Sequence, residues 1–444
     1  MRRRRFLETL VASAGGLGVS RAARRHPNIL LMIAGGWRGQ AWPADEEIIR
    51  APHLARLAAQ GAWFPRAYTA NPEPGPGRAA VLTGRYPQAC GVLRDGDRMA
   101  PGAVTLAEIL GEAGYETGFI GHWRLDGRAT PGFVPPGPRR QGFSYWAAAN
   151  RVRRPYDAPY FLDKPEPQTA TGFEPEFQAR LAADFIRRER HDPFFLCVAW
   201  GPPAGSGPAP PRFRKLYHER RFPLRLNVPA EDAGRVRGAL SGYYAMCSAV
   251  DACAGIVLDA VDRLESGPET ITVFTSDCGQ MLGSHGLDGP GAFYEESVRV
   301  PLVIRFPANV KAGVRFGLPV STADLVPTVL ALAGLPAPQR LPGRNLAPVF
   351  GGGDIEGPES VYCQGRLGAP GEWRMVVRGF DKIVVDRDLR VTHLFHLGRD
   401  PYEMENLAEE KAARRTRDEM HAILRDWMRR AADKILPSGL KIRG

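Results

Sequence analysis

Few side chains in this sequence have both the type and the spacing to do chemistry, and they fall in a handful of short segments. Asp277 and Cys278 set a carboxylate beside a thiol. His122 and Arg124 flank Trp123, and Arg78 closes the run Pro74-Gly75-Pro76-Gly77-Arg78. A thiol with a base nearby is a nucleophile. A guanidinium presents a fork of donors that suits carboxylate, sulfate and phosphate groups. Each residue also has a plain structural reading. Cys278 reads first as a buried, inert thiol, because unpaired Cys behaves as a small core residue. Asp277 suits a cap over backbone amides, Arg78 a core ion pair, and His122 and Arg124 solvated loop positions.

The elements that must position these residues alternate between strand and helix. Asn28–Ile33 is a short apolar run bounded by Gly, the pattern of a strand buried on both faces. Helices are expected over Pro52–Gln60, Leu106–Ala113, Glu176–Arg190, Val236–Leu264 and Thr322–Ala333, with strands over Tyr115–Gly121, Pro193–Trp200, Thr270–Ser276 and Val300–Phe306. Such alternation predicts an α/β fold with a doubly wound, mostly parallel sheet. Beyond Gly351–Gly353 the pattern changes to short strands (Ser360–Tyr362, Trp373–Arg378, Lys382–Asp386, Thr392–His396) and a charged helix, Ala408–Lys434. These predict a small antiparallel sheet carrying one helix, so the expected division is 26–350 for the α/β domain and 355–444 for a C-terminal subdomain. Ligands of open α/β sheets sit outside the carboxyl ends of the strands. That rule directs attention to Gly35 and Gly36, His122 to Arg124, Pro202 to Ala204, and Asp277 to Gln280.

The chain has 444 residues and a formal charge of +11. Residues 1–23 read as an export leader: Arg3-Arg4-Arg5-Phe6-Leu7 has a twin-arginine pattern and is followed by a Gly/Ala-rich run. Five arginines and one glutamate leave with residues 1–22, so +7 remains. The expected location is therefore periplasmic or extracellular. No zinc-finger spacing or RNP-like aromatic stretch argues for nucleic acid, and no membrane span is expected beyond the leader. The six cysteines form no CxxC pair, which argues against structural zinc. Export would permit a disulfide, but the sequence names no pairing.

Read in order, several segments resemble the type I sulfatases of the alkaline phosphatase superfamily. They are Pro27–Leu31, Leu82-Thr83-Gly84-Arg85-Tyr86-Pro87, Thr105–Glu108 with Gly118–Gly121, Val273–Asp277, Tyr294–Pro301 and Asp400–Leu407. The resemblance implies an alkaline-phosphatase-like fold and sulfate ester hydrolysis. It also implies a calcium ion held by carboxylates, a formylglycine nucleophile made from cysteine, and a Lys, Arg and His clamp on the sulfate. Against that pattern the chain departs at nearly every functional position. Gly35 and Gly36 stand where two metal-binding Asp belong, and Pro74 stands at the convertible cysteine. His122 replaces Lys, Arg124 replaces His, Ala204 replaces His, and Pro290 replaces a late Lys. Cys278 replaces the His or Asn beside the retained Asp277. Of ten positions the resemblance makes functional, Asp277 and Arg78 remain.

Neither a hard-cation shell of six to eight oxygens nor a nucleophile can be built from Gly and Pro. The resulting expectation is a catalytically inactive member with no calcium and no formylglycine. Charge counting sets Asp277 against Arg78, Arg124 and His122, which predicts a metal-free cationic pocket for an oxyanion, a sulfated small molecule or a sulfated glycan. The alternatives are an active sulfuric ester or phosphoryl hydrolase with other ligands, and a scaffold with a vestigial pocket. Protein partners are not indicated by the sequence.

Overall fold

A computed structural model describes residues 26–45, 48–204, 208–218 and 222–435. The expected leader, residues 1–23, lies outside the described residues. The elements that matter for the site are β1 (Asn28–Gly35), α1 (Pro74–Thr83), β2 (Glu116–His122), β3 (Tyr145–Ala149), α2 (Glu174–Arg187), β4 (Phe194–Pro203), α3 (Ala233–Asp262), β5 (Thr270–Ser276) and β6 (Leu302–Arg305). The C-terminal region adds β7 (Ser360–Gly365), β8 (Trp373–Arg378), β9 (Asp381–Asp386), β10 (Val391–His396) and α4 (Arg414–Arg430).

The large sheet runs in the order Val314–Arg315, Ala62–Trp63, β6, β5, β1, β4, β2, β3. Its central strands are parallel: β1 lies between β4 and β5, and β2 between β4 and β3. β6 runs antiparallel to β5, so the expected strand over Val300–Phe306 forms but turns the sheet at that edge. Strands this apolar must be covered on both faces. One face of β1 turns Leu30 and Met32 toward α2 and α3, and the other turns Ile29, Leu31 and Ile33 toward Leu106, Leu110 and Val329. Because β1, β2, β4 and β5 are parallel, their carboxyl ends share one rim. Gly35, His122, Pro203 and Asp277 therefore meet there.

α3 is long and apolar enough to cross a membrane, with a mean hydropathy of 1.5 over its most apolar stretch, but 83% of that stretch is buried inside the fold. Its apolar residues serve the core, so the helix reaches spanning length without exposing an apolar surface. All six cysteines are buried, and none is in a disulfide. β7 to β10 form a four-stranded antiparallel sheet in sequence order. α4 lays Met420, Leu424 and Trp427 against it, in the arrangement expected from sequence.

Candidate functional site

β1 ends at Gly35, and Gly36 follows it; both are buried. A Cβ on Gly35 would land on the carbonyl oxygen of Gly201, and one on Gly36 would land on Ala204 Cβ and lie 2.8 Å from Gln280 Nε2. Gly36 also has φ of +71°, which favours glycine. These positions have neither side chain nor room for one. Ala204, whose amide donates to the Gly35 carbonyl at 2.8 Å, packs into the space and supplies no imidazole.

Pro74 opens α1, where a proline costs nothing because the first helical amide has no partner in any case. α1 carries Arg78 to the centre of the rim. Its Nη2 lies 2.7 Å from Asp277 Oδ2, and its Nη1 donates to the His122 carbonyl. Both side chains are 0% exposed. Burial lowers the Arg78 pKa, and the neighbouring Asp277 works against that shift. Asp277 Oδ1 accepts from the Gly36 amide at 3.1 Å and from the Cys278 thiol at 3.5 Å.

His122 and Arg124 point elsewhere. His122 Nε2 is 3.0 Å from both carboxylate oxygens of Glu174, at the start of α2, and both side chains are buried. Arg124, with φ of +65°, reaches Asp95 at 3.5 Å, and Arg151 contacts the same carboxylate oxygen at 2.5 Å. The expected pocket of Arg78, His122, Arg124 and Asp277 is thus only half assembled. The structure joins Arg78 to Asp277 but gives His122 and Arg124 acids that the charge count left out. Glu174 therefore partners His122, and Asp95 is shared between Arg124 and Arg151. Cys278 and His122 are not paired either, and burial together with Asp277 pushes the Cys278 thiol well above its usual range. It is an inert core thiol.

The residues present do not fit a calcium ion. Gly35 and Gly36 offer no oxygen-bearing side chain, Cys278 is a protonated soft donor, and the Asp277 carboxylate is committed to a guanidinium and an amide. Calcium takes six to eight oxygens. No formylglycine can form at Pro74, which has no thiol.

Residues 27–335 match the family described as Sulfatase, and residues 283–430 match N-sulphoglucosamine sulphohydrolase, C-terminal. The chain belongs to the sulfatase family. The ulvan-active sulfatase of Formosa agariphila is 31% identical over 338 residues, covering 74% of this chain and 66% of the relative, just under two thirds of its length. The N-acetylgalactosamine-6-sulfatase of Canis lupus familiaris is 30% identical over 469 residues, covering 89% and 84%. A solved structure from Bacteroides fragilis, described as the sulfatase yidJ, is 25% identical, has a TM-score of 0.85, and covers 94% of this chain and 99% of its own. The alkaline-phosphatase-like α/β fold expected from the motifs is therefore the fold observed.

This sulfatase-family chain keeps an open cleft above the sealed rim. It has a volume of about 700 Å³ and is lined by Glu73, Pro74, Pro290, Tyr294, Arg366 and Trp373, among others. Pro74 and Pro290, which the resemblance sets at the nucleophile and lysine positions, both line it. Arg78, His122 and Arg124 do not. Burial raises the Glu73 carboxyl, and the hydrogen bond it accepts from the Asp95 amide works against that shift. Sequence reasoning named neither Glu73 nor Arg366 as a cleft residue.

A second buried cluster joins the C-terminal sheet to the α/β layers. Lys382 on β9 lies 3.1 Å from Glu295 and 2.7 Å from Glu403. Beside it, Arg225 lies 2.6 Å from Glu296, and His285 stacks on Tyr294 with ring centroids 3.7 Å apart. His285, Glu296 and Glu403 converge closely enough to hold a metal ion. However, Arg225 and Lys382 already balance the two carboxylates, so the cluster reads as a structural lock. His285 sits in the Gly283-Ser284-His285-Gly286 loop.

Proposed function

We propose that this chain is a non-catalytic member of the sulfatase family that uses the open cleft as a saccharide-binding site. The observation that carries the reading is at the end of β1. Gly35 and Gly36 lack ligand side chains, their backbone is closed over, and the one retained carboxylate is consumed by Arg78. Fold does not confer activity; the site does. Sulfate ester hydrolysis is the family's reaction, and here it lacks its nucleophile and its metal shell.

Three features support a saccharide ligand. Tyr294 and Trp373 line the cleft, the exposed Arg366 gives its wall a cationic group, and relatives are described as acting on ulvan and as an N-acetylgalactosamine-6-sulfatase. Anion recognition thus falls to Arg366 at the cleft, rather than to the partnered Arg78, His122 and Arg124. The test is calorimetric titration with a sulfated oligosaccharide and its desulfated form at moderate salt. Arg366→Ala should weaken the sulfated ligand roughly 10-fold, the effect of losing one charge-assisted hydrogen bond. Exposed Arg414→Ala should leave binding unchanged. Equal losses for the two variants, or no binding by the wild type, would overturn the saccharide reading.

A working hydrolase with other groups is the competing reading, and Glu73 is what favours it: a carboxyl in the cleft whose proton affinity is raised by burial is suited to general acid chemistry. Turnover of an aryl sulfate or aryl phosphate that is lost in Glu73→Gln would establish that reading instead.

A further inference from the structure

Arg78 makes more contacts at the rim than an anion clamp requires, and those contacts join separate strands. One guanidinium nitrogen binds Asp277, the residue that follows β5, and the other binds the carbonyl of His122, the last residue of β2. The second oxygen of Asp277 accepts the Gly36 amide just beyond β1. Through one side chain, α1 is tied to β2 and β5 directly and to β1 by way of Asp277. Around this junction, Ser276 Oγ accepts from the Trp37 amide at 2.9 Å and donates to the Ala34 carbonyl at 2.6 Å.

We propose that the Arg78 guanidinium has become the structural cation of the strand ends, doing by hydrogen-bonded charge what a bound dication would do by coordination. Parallel strand ends bring carbonyls and a carboxylate together at one rim, and a buried carboxylate without a cation is costly. A metal answers that problem where several carboxylates surround it. With a single carboxylate left, one positive charge balances it, and the planar fork reaches two partners at once. Gly77 fits the arrangement, since a Cβ there would strike the Asp277 carbonyl, so α1 seats directly on the residue that Arg78 binds. The proposal rests on the reading that the rim is metal-free, and it assigns that rim a new occupant.

Thermal unfolding of the full chain tests it without reference to activity. Wild type should melt at the same temperature, within about 1 °C, with added calcium or with chelator, because no ion is there to gain or lose. Arg78→Ala leaves Asp277 buried and unpaired and should lower Tm by about 4–6 °C for a chain of this length. A few millimolar guanidinium chloride, matched against sodium chloride, should restore part of that loss by entering the space left by the side chain. Asp277→Asn serves if Arg78→Ala does not fold: it removes the charge but keeps a carbonyl for the Gly36 amide, and a clear fall in Tm is again expected. A wild-type Tm that falls with chelator and recovers with calcium would overturn the proposal. So would an Arg78→Ala or Asp277→Asn protein as stable as wild type. Aryl sulfate turnover would sink the functional reading while leaving an Arg78-dependent Tm intact, so the two failures are distinguishable.

Discussion

Arg78 with Asp277 and Lys382 with Glu295 and Glu403 are both buried ion clusters, yet they came to their places differently. The Lys382 cluster is built on segments that still carry the family pattern, Tyr294-Glu295-Glu296 and Asp400-Pro401-Tyr402-Glu403. It fastens one layer of the fold to another. The Arg78 pair occupies the rim where the resemblance breaks down, and its two members are the positions there that the resemblance still matches. The difference separates two kinds of family motif. Some hold layers together and are needed whatever the protein does. Others hold a reaction together, and on the proposed reading their survivors here serve structural work.

If that distinction is right, the largest loss belongs to the lock between layers. Lys382→Met removes the cation shared by two buried carboxylates and should destabilise the fold by about 3–5 kcal/mol or more, read as a fall in the urea midpoint at unchanged slope. A smaller loss would put the two clusters on an equal footing. Gly35→Asp, a step back toward the family sequence, should also destabilise, by roughly 1–3 kcal/mol, because the new Cβ meets the Gly201 carbonyl. A neutral or stabilising result there would mean that the strand end has not closed.

Acid sharpens the comparison further. Burial raises the Glu296 carboxyl, but Arg225 and Asn227 outweigh it and bring the group to about 2, against an ordinary 4.5. Its folded value is depressed, so its contribution is present above the unfolded value and is lost as pH falls from about 4.5 toward 2. Arg225→Ala should flatten that part of the stability-against-pH curve. The smallest expected effect is at the surface. Arg414→Ala on α4 removes a long, exposed contact to Asp418 and should shift stability by less than about 0.5 kcal/mol.

Much of the fold was legible because it rests on local pattern. β5 was placed residue for residue, and α3, β1 and β8 within a few residues or better, since continuous apolar runs and helical periodicity do not depend on distant partners. β3 was missed: Tyr145-Trp146-Ala147-Ala148-Ala149 has little β-branched content and forms a strand only because β2 offers it an open edge. At the site, collinear motifs marked the positions where this chain departs from the family pattern. They could not reveal where the survivors would turn. Glu174 meets His122 across 52 residues and Asp95 meets Arg124 across 29, and nothing local marks either acid as a partner. Glu174 also lies just ahead of the predicted start of α2, which put it in a connecting loop rather than on the helix that aims it at His122. The cationic pocket inferred from charge counting therefore omitted the two acids that turn His122 and Arg124 away from it.

The central claim is that the rim no longer supports the family's reaction, and turnover of a generic aryl sulfate addresses it most directly. Purified wild type, assayed with and without calcium beside an active sulfatase, should release no product above buffer, and Pro74→Cys alone should release none either, because the metal shell is missing as well as the nucleophile. Product formation that follows the chain through purification and disappears in Asp277→Asn would contradict the account.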